Sequence, residues 1–246
     1  MKIAFISDIH ANLEALEAVL EDAGRNGAEE IYCLGDIVGY GANPNECAAM
    51  VAKRCTGALL GNHDAVAIGE LTPQHFNVHA RIAIEWTAEQ LTEPNKSFLR
   101  ERPMIETLGN NLTMVHATPY APGMWYYITS IEEAAYNFEH FDTQICLVGH
   151  THIPVIIVED EDGISVHQEK KIYYGNEDSG DLRLLINIGS VGQPRDRNPQ
   201  SSYGILDTDE KTFTLRRVPY NVAVAQAKMK KHRMPDFLVN RLAEGR

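Results

Sequence analysis

Apolar residues follow two rhythms along this chain. Residues 2–7 (KIAFIS), 30–34 and 57–60 are short, nearly unbroken apolar runs, the pattern of buried parallel strands. Between the first two runs, Leu13, Leu16, Leu20 and Ala23 fall on one helical face with Val19 alongside, and Asn12 stands where an N-cap belongs. Gly24 and Gly27 close that helix. Asn43-Pro44-Asn45 opens a second one, because proline is tolerated in a first turn. The order βαβαβ predicts a parallel sheet with right-handed crossovers.

The second half changes character. Residues 65–103 read as helical, chiefly 78–91 and 94–101. Residues 104–108 and 112–116 then flank Gly109-Asn110-Asn111, and 155–158 and 164–167 flank a loop ending in Asp162-Gly163; both are hairpin signals. A helix over 131–141 precedes a strand at 144–148, and further strands fall at 182–188, 203–207 and 212–218. The expected fold is α/β, with two packed mixed sheets flanked by helices, in one domain spanning 1–246.

Composition narrows the function classes. A hydrophobic content of 44% supports a full core. Asp8 interrupts the N-terminal apolar run too early for a signal-peptide core, and no run reaches the roughly 18 apolar residues of a membrane span. The chain reads as soluble and cytoplasmic, with no membrane partner. Four cysteines lack C-x-x-C spacing and read as small hydrophobes. A net charge of −12 disfavours nucleic-acid duplexes as partners. Residues 211–246 nevertheless hold nine Lys/Arg against two Asp/Glu, the signature of a helical segment with a basic outer face docked on an acidic body. Oligomeric state is not legible.

The chemistry lies at the ends of the apolar runs. Asp8-Ile9-His10, Gly35-Asp36, Gly61-Asn62-His63-Asp64 and Gly149-His150-Thr151-His152, with a lone His116, supply nitrogen and oxygen donors and no thiolate. Such a set suits borderline or hard divalent ions. Strand alternation makes Asp8 and His10 neighbours, and likewise His150 and His152. Strand C-termini are where open α/β sheets place ligands. Each fragment alone is weak; five in one order indicate two adjacent metal ions in a hydrolytic site.

In that order the chain resembles the calcineurin-like metallophosphoesterase superfamily, whose motifs run D-x-H, G-D, G-N-H-[DE], H and G-H-x-H. The resemblance is closest to small bacterial phosphodiesterases and phosphatases of unassigned substrate, and Asn187-Ile188-Gly189-Ser190-Val191-Gly192 is similar to a late loop of that subgroup. It implies a four-layer α/β/β/α sandwich. It implies one metal held by Asp8, His10, Asp36 and His152, and a second held by Asp36, Asn62, His116 and His150. His63 matches the family's catalytic histidine and Asp64 the acid beside it. The protein phosphatases of that superfamily carry arginines that grip phosphate; here Ile37-Val38-Gly39 follows Asp36 and Leu60 precedes Gly61, so those arginines are absent.

The implied reaction is in-line attack on phosphorus by a hydroxide bridging two divalent ions (Mn, Fe, Zn, Ni or Co), on a phosphodiester or a small phosphorylated metabolite. His63 is expected to protonate the leaving oxygen and Asp64 to orient it. The alternatives are a phosphomonoesterase or protein phosphatase, or a non-catalytic scaffold on the same fold. Candidate substrate contacts are Asn12, which otherwise only caps its helix, Ser190, Arg195 as a bidentate phosphate grip, and Trp125 within the aromatic stretch 118–127. That stretch either stacks a base or aryl group or packs into the core.

Overall fold

The computed structural model describes residues 1–175 and 182–246. The chain opens with β1 (Lys2–Ile6), α1 (Leu13–Arg25), β2 (Glu30–Cys33), α2 (Pro44–Arg54), β3 (Gly57–Ala58), α3 (Asn62–Ala67), α4 (Val78–Gln90) and α5 (Glu93–Arg100). It continues with β4 (Ile105–Leu108), β5 (Leu112–Val115), α6 (Ile131–Phe138), β6 (Ile145–Val148), β7 (Val155–Asp160), β8 (Gly163–His167) and β9 (Lys171–Tyr173). Then follow β10 (Arg183–Asn187), β11 (Ser201–Asp207), β12 (Thr212–Val218), α7 (Val222–Lys231) and α8 (Asp236–Glu244).

Among the described residues the strands form two six-stranded sheets, ordered β3-β2-β1-β11-β12-β9 and β4-β5-β6-β10-β7-β8. Both are mixed. β1, β2 and β3 run parallel, as do β5, β6 and β10, while β1–β11 and β10–β7 are antiparallel. The sheets face each other across a core containing Phe5, Leu34, Met114, Leu147, Ile186 and Phe213. On the outer side of the first sheet, Leu16, Val19 and Leu20 of α1 and Cys47 and Val51 of α2 join a second cluster. Phe138 of α6 anchors the outer side of the other sheet. The four-layer sandwich is therefore formed, and the predicted hairpins β4–β5 and β7–β8 pair as read.

Three details depart from the sequence reading. β3 is only two residues long: Leu59 N–H still donates to Cys33 O of β2 at 2.8 Å, but Leu60 N–H turns to Pro103 O at 2.8 Å. Asn62, His63 and Asp64 therefore open the short helix α3 rather than end a strand. β9 was not read from the sequence, because its three residues carry only one buried side chain, Ile172. The cysteines are free; Cys33, Cys47 and Cys146 are buried. Of the basic stretch 211–246, residues 212–218 with Arg216 and Arg217 form β12 rather than helix; the remainder forms α7 and α8, and Lys228 pairs with Glu14 of α1.

Candidate metal centre

Every strand that delivers a candidate donor ends just before it. β1 stops at Ile6, two residues short of Asp8, and β6 stops at Val148, two short of His150. Asp8, His10, Asp36, His150 and His152 all have φ between 49° and 65°. Non-glycine residues seldom adopt that left-handed region, and each costs about 1–3 kcal/mol there. The expected strand alternation is thus not what pairs Asp8 with His10 or His150 with His152. Left-handed turns do so, where no strand register applies. Backbone hydrogen bonds fix them: Asp8 N–H to Gly35 O, His10 N–H to Asp36 O, and Gly149 N–H to His116 O, at 2.9–3.0 Å.

The turns bring buried donors together. Ligand atoms of Asp8, His10 and His152 lie within 4.8 Å of one another, as do those of Asp36, His116 and His150, and those of His10, Asp36 and His63. Asp8 Oδ1 lies 3.2 Å from His152 Nε2. Asp36 Oδ2 lies 3.6 Å from His10 Nε2 and 3.4 Å from His116 Nε2, so this carboxylate stands between the two outer groups. Asn62, the first residue of α3 and the neighbour of His63, has its Oδ1 buried and without a hydrogen-bond partner. Gly61 lets the start of α3 approach Asp36, since a Cβ there would collide with Asp36 Oδ1 and its backbone nitrogen.

Hydrogen bonding decides which atoms remain open. His10 Nδ1 meets Val38 O at 3.2 Å, His116 Nδ1 meets Leu34 O at 2.9 Å and His152 Nδ1 meets Gln193 O at 2.6 Å. A carbonyl only accepts, so each Nδ1 carries a proton, and in the neutral ring Nε2 then presents a lone pair; at His116 a metal would displace a second proton from Nε2. His150 is the reverse: Nε2 donates to Trp125 O at 3.0 Å, leaving Nδ1 open. The Nε2 atoms of His10 and His152 are 3.1 Å apart. With both Nδ1 atoms protonated, two lone pairs face each other there, an arrangement that a shared cation relieves. Asp8 Oδ1, Asn62 Oδ1 and His116 Nε2 are buried with no hydrogen-bond partner, and buried polar atoms ordinarily have one. These residues fit divalent metal.

Electrostatics agree. Burial drives the pKa of His10 well below the usual histidine range, lowers that of His152, and takes that of His150 down to about 3. They stand as neutral imidazoles, the form that binds metal. At His116 burial also acts downward, but Asp36 and Asp8 outweigh it and push the pKa up to about 9. Asp8 and Asp36 are themselves held below the usual carboxylate range: burial opposes this, and the surrounding histidines outweigh it. Two fully buried carboxylates therefore call for positive charge.

His63 lies beside this group, and its N–H donates to Asp36 Oδ1 at 2.8 Å. Its ring is enclosed by Tyr40 at 4.4 Å, Phe76 at 4.5 Å and, edge-on, His10 at 4.8 Å between centroids. Burial, only partly opposed by Asp36, lowers its pKa to about 4. The expected pairing of His63 with Asp64 is not formed. Both Asp64 oxygens accept backbone N–H groups, of Ile37, Val38 and Gly61, at 3.0–3.2 Å, which makes Asp64 the brace between the Asp36 loop and α3. Its pKa rises to about 7, driven first by burial and then by the Asp36 charge, against those three bonds.

The candidate substrate contacts separate. Asn12 is committed at both ends, its Oδ1 accepting from Ala15 N at 3.2 Å and its Nδ2 donating to Gly192 O at 2.8 Å; it is a cap. Ser190 is fully buried, donating to Asp8 O and accepting from Gln193 N, each at 2.8 Å. It supports the Asp8 backbone and has nothing left for substrate. Trp125 is half-buried and packs edge-on to His116 at 6.0 Å, so its ring covers the site from the side. Arg195 remains open: its Nη2 reaches Gln193 Oε1 at 2.9 Å and Tyr40 Oη at 3.4 Å, both neutral, and its Nε is buried without a partner. Sequence reasoning missed Tyr40 and Phe76. Tyr40 follows Asp36 by four residues in a loop whose only earlier reading was the absence of an arginine.

A family model described as the calcineurin-like phosphoesterase superfamily domain matches residues 1–211. The chain belongs to that superfamily. It is 42% identical to a metallophosphoesterase of Sphaerobacter thermophilus whose crystal structure superposes with a TM-score of 0.88, covering 100% of this chain and 99% of that one. An uncharacterized protein of Methanocaldococcus jannaschii is 40% identical over 99% of this chain and 98% of its own length. Phosphodiesterase YfcE of Escherichia coli is 28% identical over 85% of this chain and 89% of its own.

Proposed function

We propose that this chain is a dinuclear metal-dependent phosphoesterase acting on phosphodiesters or small phosphorylated metabolites. The observation that carries the reading is the pair of inward-facing Nε2 lone pairs of His10 and His152, 3.1 Å apart beside the unpartnered Asp8 Oδ1. Asp8, His10, Asp36 and His152 would hold one ion, and Asp36, Asn62, His116 and His150 the other. Bound divalent ions supply Lewis acidity that lowers the pKa of water toward neutrality and offsets charge on phosphoryl oxygens.

The chain's own residues do the rest. His63 protonates the leaving oxygen. An anionic substrate beside the ring favours the imidazolium and raises its pKa, so protonation is coupled to substrate arrival. Tyr40 and Phe76 hold the ring, in place of the carboxylate that was expected to. Arg195, which pairs with no carboxylate among the described residues, binds a non-bridging phosphoryl oxygen. Support for a diester over a monoester comes from the relative named as a phosphodiesterase. The core position of Leu60 adds to it, because the phosphate-gripping arginine of the related protein phosphatases has no counterpart there. The test is hydrolysis of p-nitrophenyl phosphate and bis-p-nitrophenyl phosphate with and without manganese. Metal-dependent turnover, faster on the diester, is expected. No turnover with Mn, Fe, Zn, Ni or Co would overturn the reading.

A further inference from the structure

Four tyrosines share one cleft of about 520 Å³ beside the metal centre, lined by Tyr120, Tyr126, Tyr127 and Tyr136 with Glu132 and Glu133 at its edge. Their exposures are 37%, 46%, 51% and 47%. A concentration of large rings left to water is the exception on a protein surface, and it marks a binding site. The cleft lies between the loop after His116 and helix α6.

Its walls are preformed. Tyr120 N–H donates to Asn137 Oδ1 at 3.3 Å, and its carbonyl accepts from Thr118 Oγ1 at 2.7 Å. The Tyr120 and Tyr126 rings are parallel to within 7°, with centroids 6.2 Å apart, and Tyr136 stands edge-on to Tyr120 at 4.9 Å. Tyr127 ties the cleft to the metal centre: its ring stacks on that of His150 at 4.2 Å and 24°. Trp125, on the same loop, accepts the His150 Nε2 proton through its carbonyl. The cleft and the metal centre thus share a wall.

Charge sorts what can enter. Glu133 is held ionised by hydrogen bonds from Thr129 N, Thr129 Oγ1 and Ser130 N at 2.6–3.1 Å, and Glu132 adds a second carboxylate. Phosphate is repelled from this end and would be drawn to the metal centre once divalent ions are bound there. A neutral planar ring meets no such penalty, and tyrosine faces stack such rings without regard to sequence.

We propose that this cleft is the subsite for a nucleobase, so that the substrate is a nucleoside phosphodiester with its phosphate at the metal centre and its base against Tyr120 and Tyr126. The proposal rests on the phosphoesterase reading for its phosphate end only.

The primary test is saturation-transfer NMR and calorimetric titration of the whole protein with adenosine, and with ribose as the base-free control. Adenosine is expected to bind with its adenine protons saturated, and ribose to show no binding. Tyr126→Ala and Tyr120→Leu should each weaken adenosine by about 5- to 100-fold, the usual effect of losing one stacking ring, while Tyr126→Phe, which keeps the ring, retains affinity. Equal binding of ribose and adenosine, or unchanged affinity in both ring-deleted variants, would overturn the proposal. The second arm compares kcat/KM for p-nitrophenyl thymidine 5′-phosphate and p-nitrophenyl methyl phosphate under manganese. The wild type should prefer the thymidine ester by at least about tenfold, mainly through KM, and the ring-deleted variants should lose most of that preference. A wild type without preference would contradict the subsite. Failure to hydrolyse either ester with Mn, Fe, Zn, Ni or Co would remove the phosphodiesterase reading, and adenosine binding would still decide the cleft.

Discussion

Asp36 Oδ1 accepts the backbone N–H of His63 at 2.8 Å, while its Oδ2 faces His10 and His116 at 3.6 and 3.4 Å. One carboxylate therefore anchors the start of α3 and stands between the two groups of candidate metal ligands. Asp36→Asn removes this charge while keeping the shape. The expected result is loss of metal and a fall in kcat/KM of more than about 100-fold, at least as large as losing an outer partner of a metal ligand. Metal analysis and steady-state kinetics on the purified variant check both. Retention of full metal content would separate Asp36 from the site.

His63 should behave differently from the candidate ligands. His63→Asn is expected to keep bound metal and to lose about 10²–10⁴-fold in turnover, the usual worth of a positioned proton donor. Gly39→Ala should act in the same direction without touching His63 chemically, because a Cβ there would lie 2.5 Å from His63 Nδ1 and Gly39 has φ of 91°. The pair of variants, compared by kcat and by metal content, separates positioning of the ring from its chemistry. Full activity in His63→Asn would remove it from the mechanism.

Arg195→Ala should raise KM more than it lowers kcat. A charge-assisted hydrogen bond is worth about 1.5–3 kcal/mol, or about 10- to 100-fold in kcat/KM. Arg195→Lys should restore part of this, since it keeps the charge and loses the planar fork. An unchanged KM in Arg195→Ala would return this residue to a structural role beside Tyr40.

A stability prediction lies far from the site. Asp22 of α1 accepts hydrogen bonds from Tyr203 Oη at 2.7 Å and Arg216 Nε at 2.9 Å, tying the helix to β11 and β12. Burial acts to raise its pKa, but these two partners outweigh it and hold it below the usual carboxylate value. A carboxyl with a depressed folded-state pKa adds stability above its unfolded pKa and loses it as pH falls through the folded one. Asp22→Asn should therefore cost about 1–2 kcal/mol at pH 7, discounted for the partial exposure of Arg216. The difference should shrink below about pH 4, near the unfolded pKa. Denaturant unfolding of both proteins at pH 7 and pH 3 measures it; a constant difference across that range would refute the assignment.

Much of this architecture was legible because burial writes itself into sequence. The runs before Asp8, Asp36 and His150 are apolar on both faces, as strands between two layers must be, and α1 carries its stripe with Asn12 as cap. The candidate donors were legible as fragments. Their local geometry was not: strand alternation places His10 beside Asp8 for the wrong reason, since both residues are left-handed, and no period encodes a left-handed turn. The same limit hid the partner of His63. Asp64, adjacent in sequence, suggested a carboxylate–imidazole pair, yet the helix start turns its oxygens to Ile37, Val38 and Gly61. The rings that do hold His63 come from Tyr40 and Phe76, which only the folded chain brings to it. Ser190 is similar: its glycine-flanked setting read as a substrate loop, and folding spends both its hydrogen bonds on backbone.

The most direct measurement is a crystal structure of the manganese-soaked protein, with anomalous difference maps at the metal edge. Two peaks sharing Asp36 are expected, one also ligated by Asp8, His10 and His152, the other by Asn62, His116 and His150. Absence of both peaks, or metal bound elsewhere while the His10 and His152 rings remain turned toward each other without an ion, would contradict this assignment.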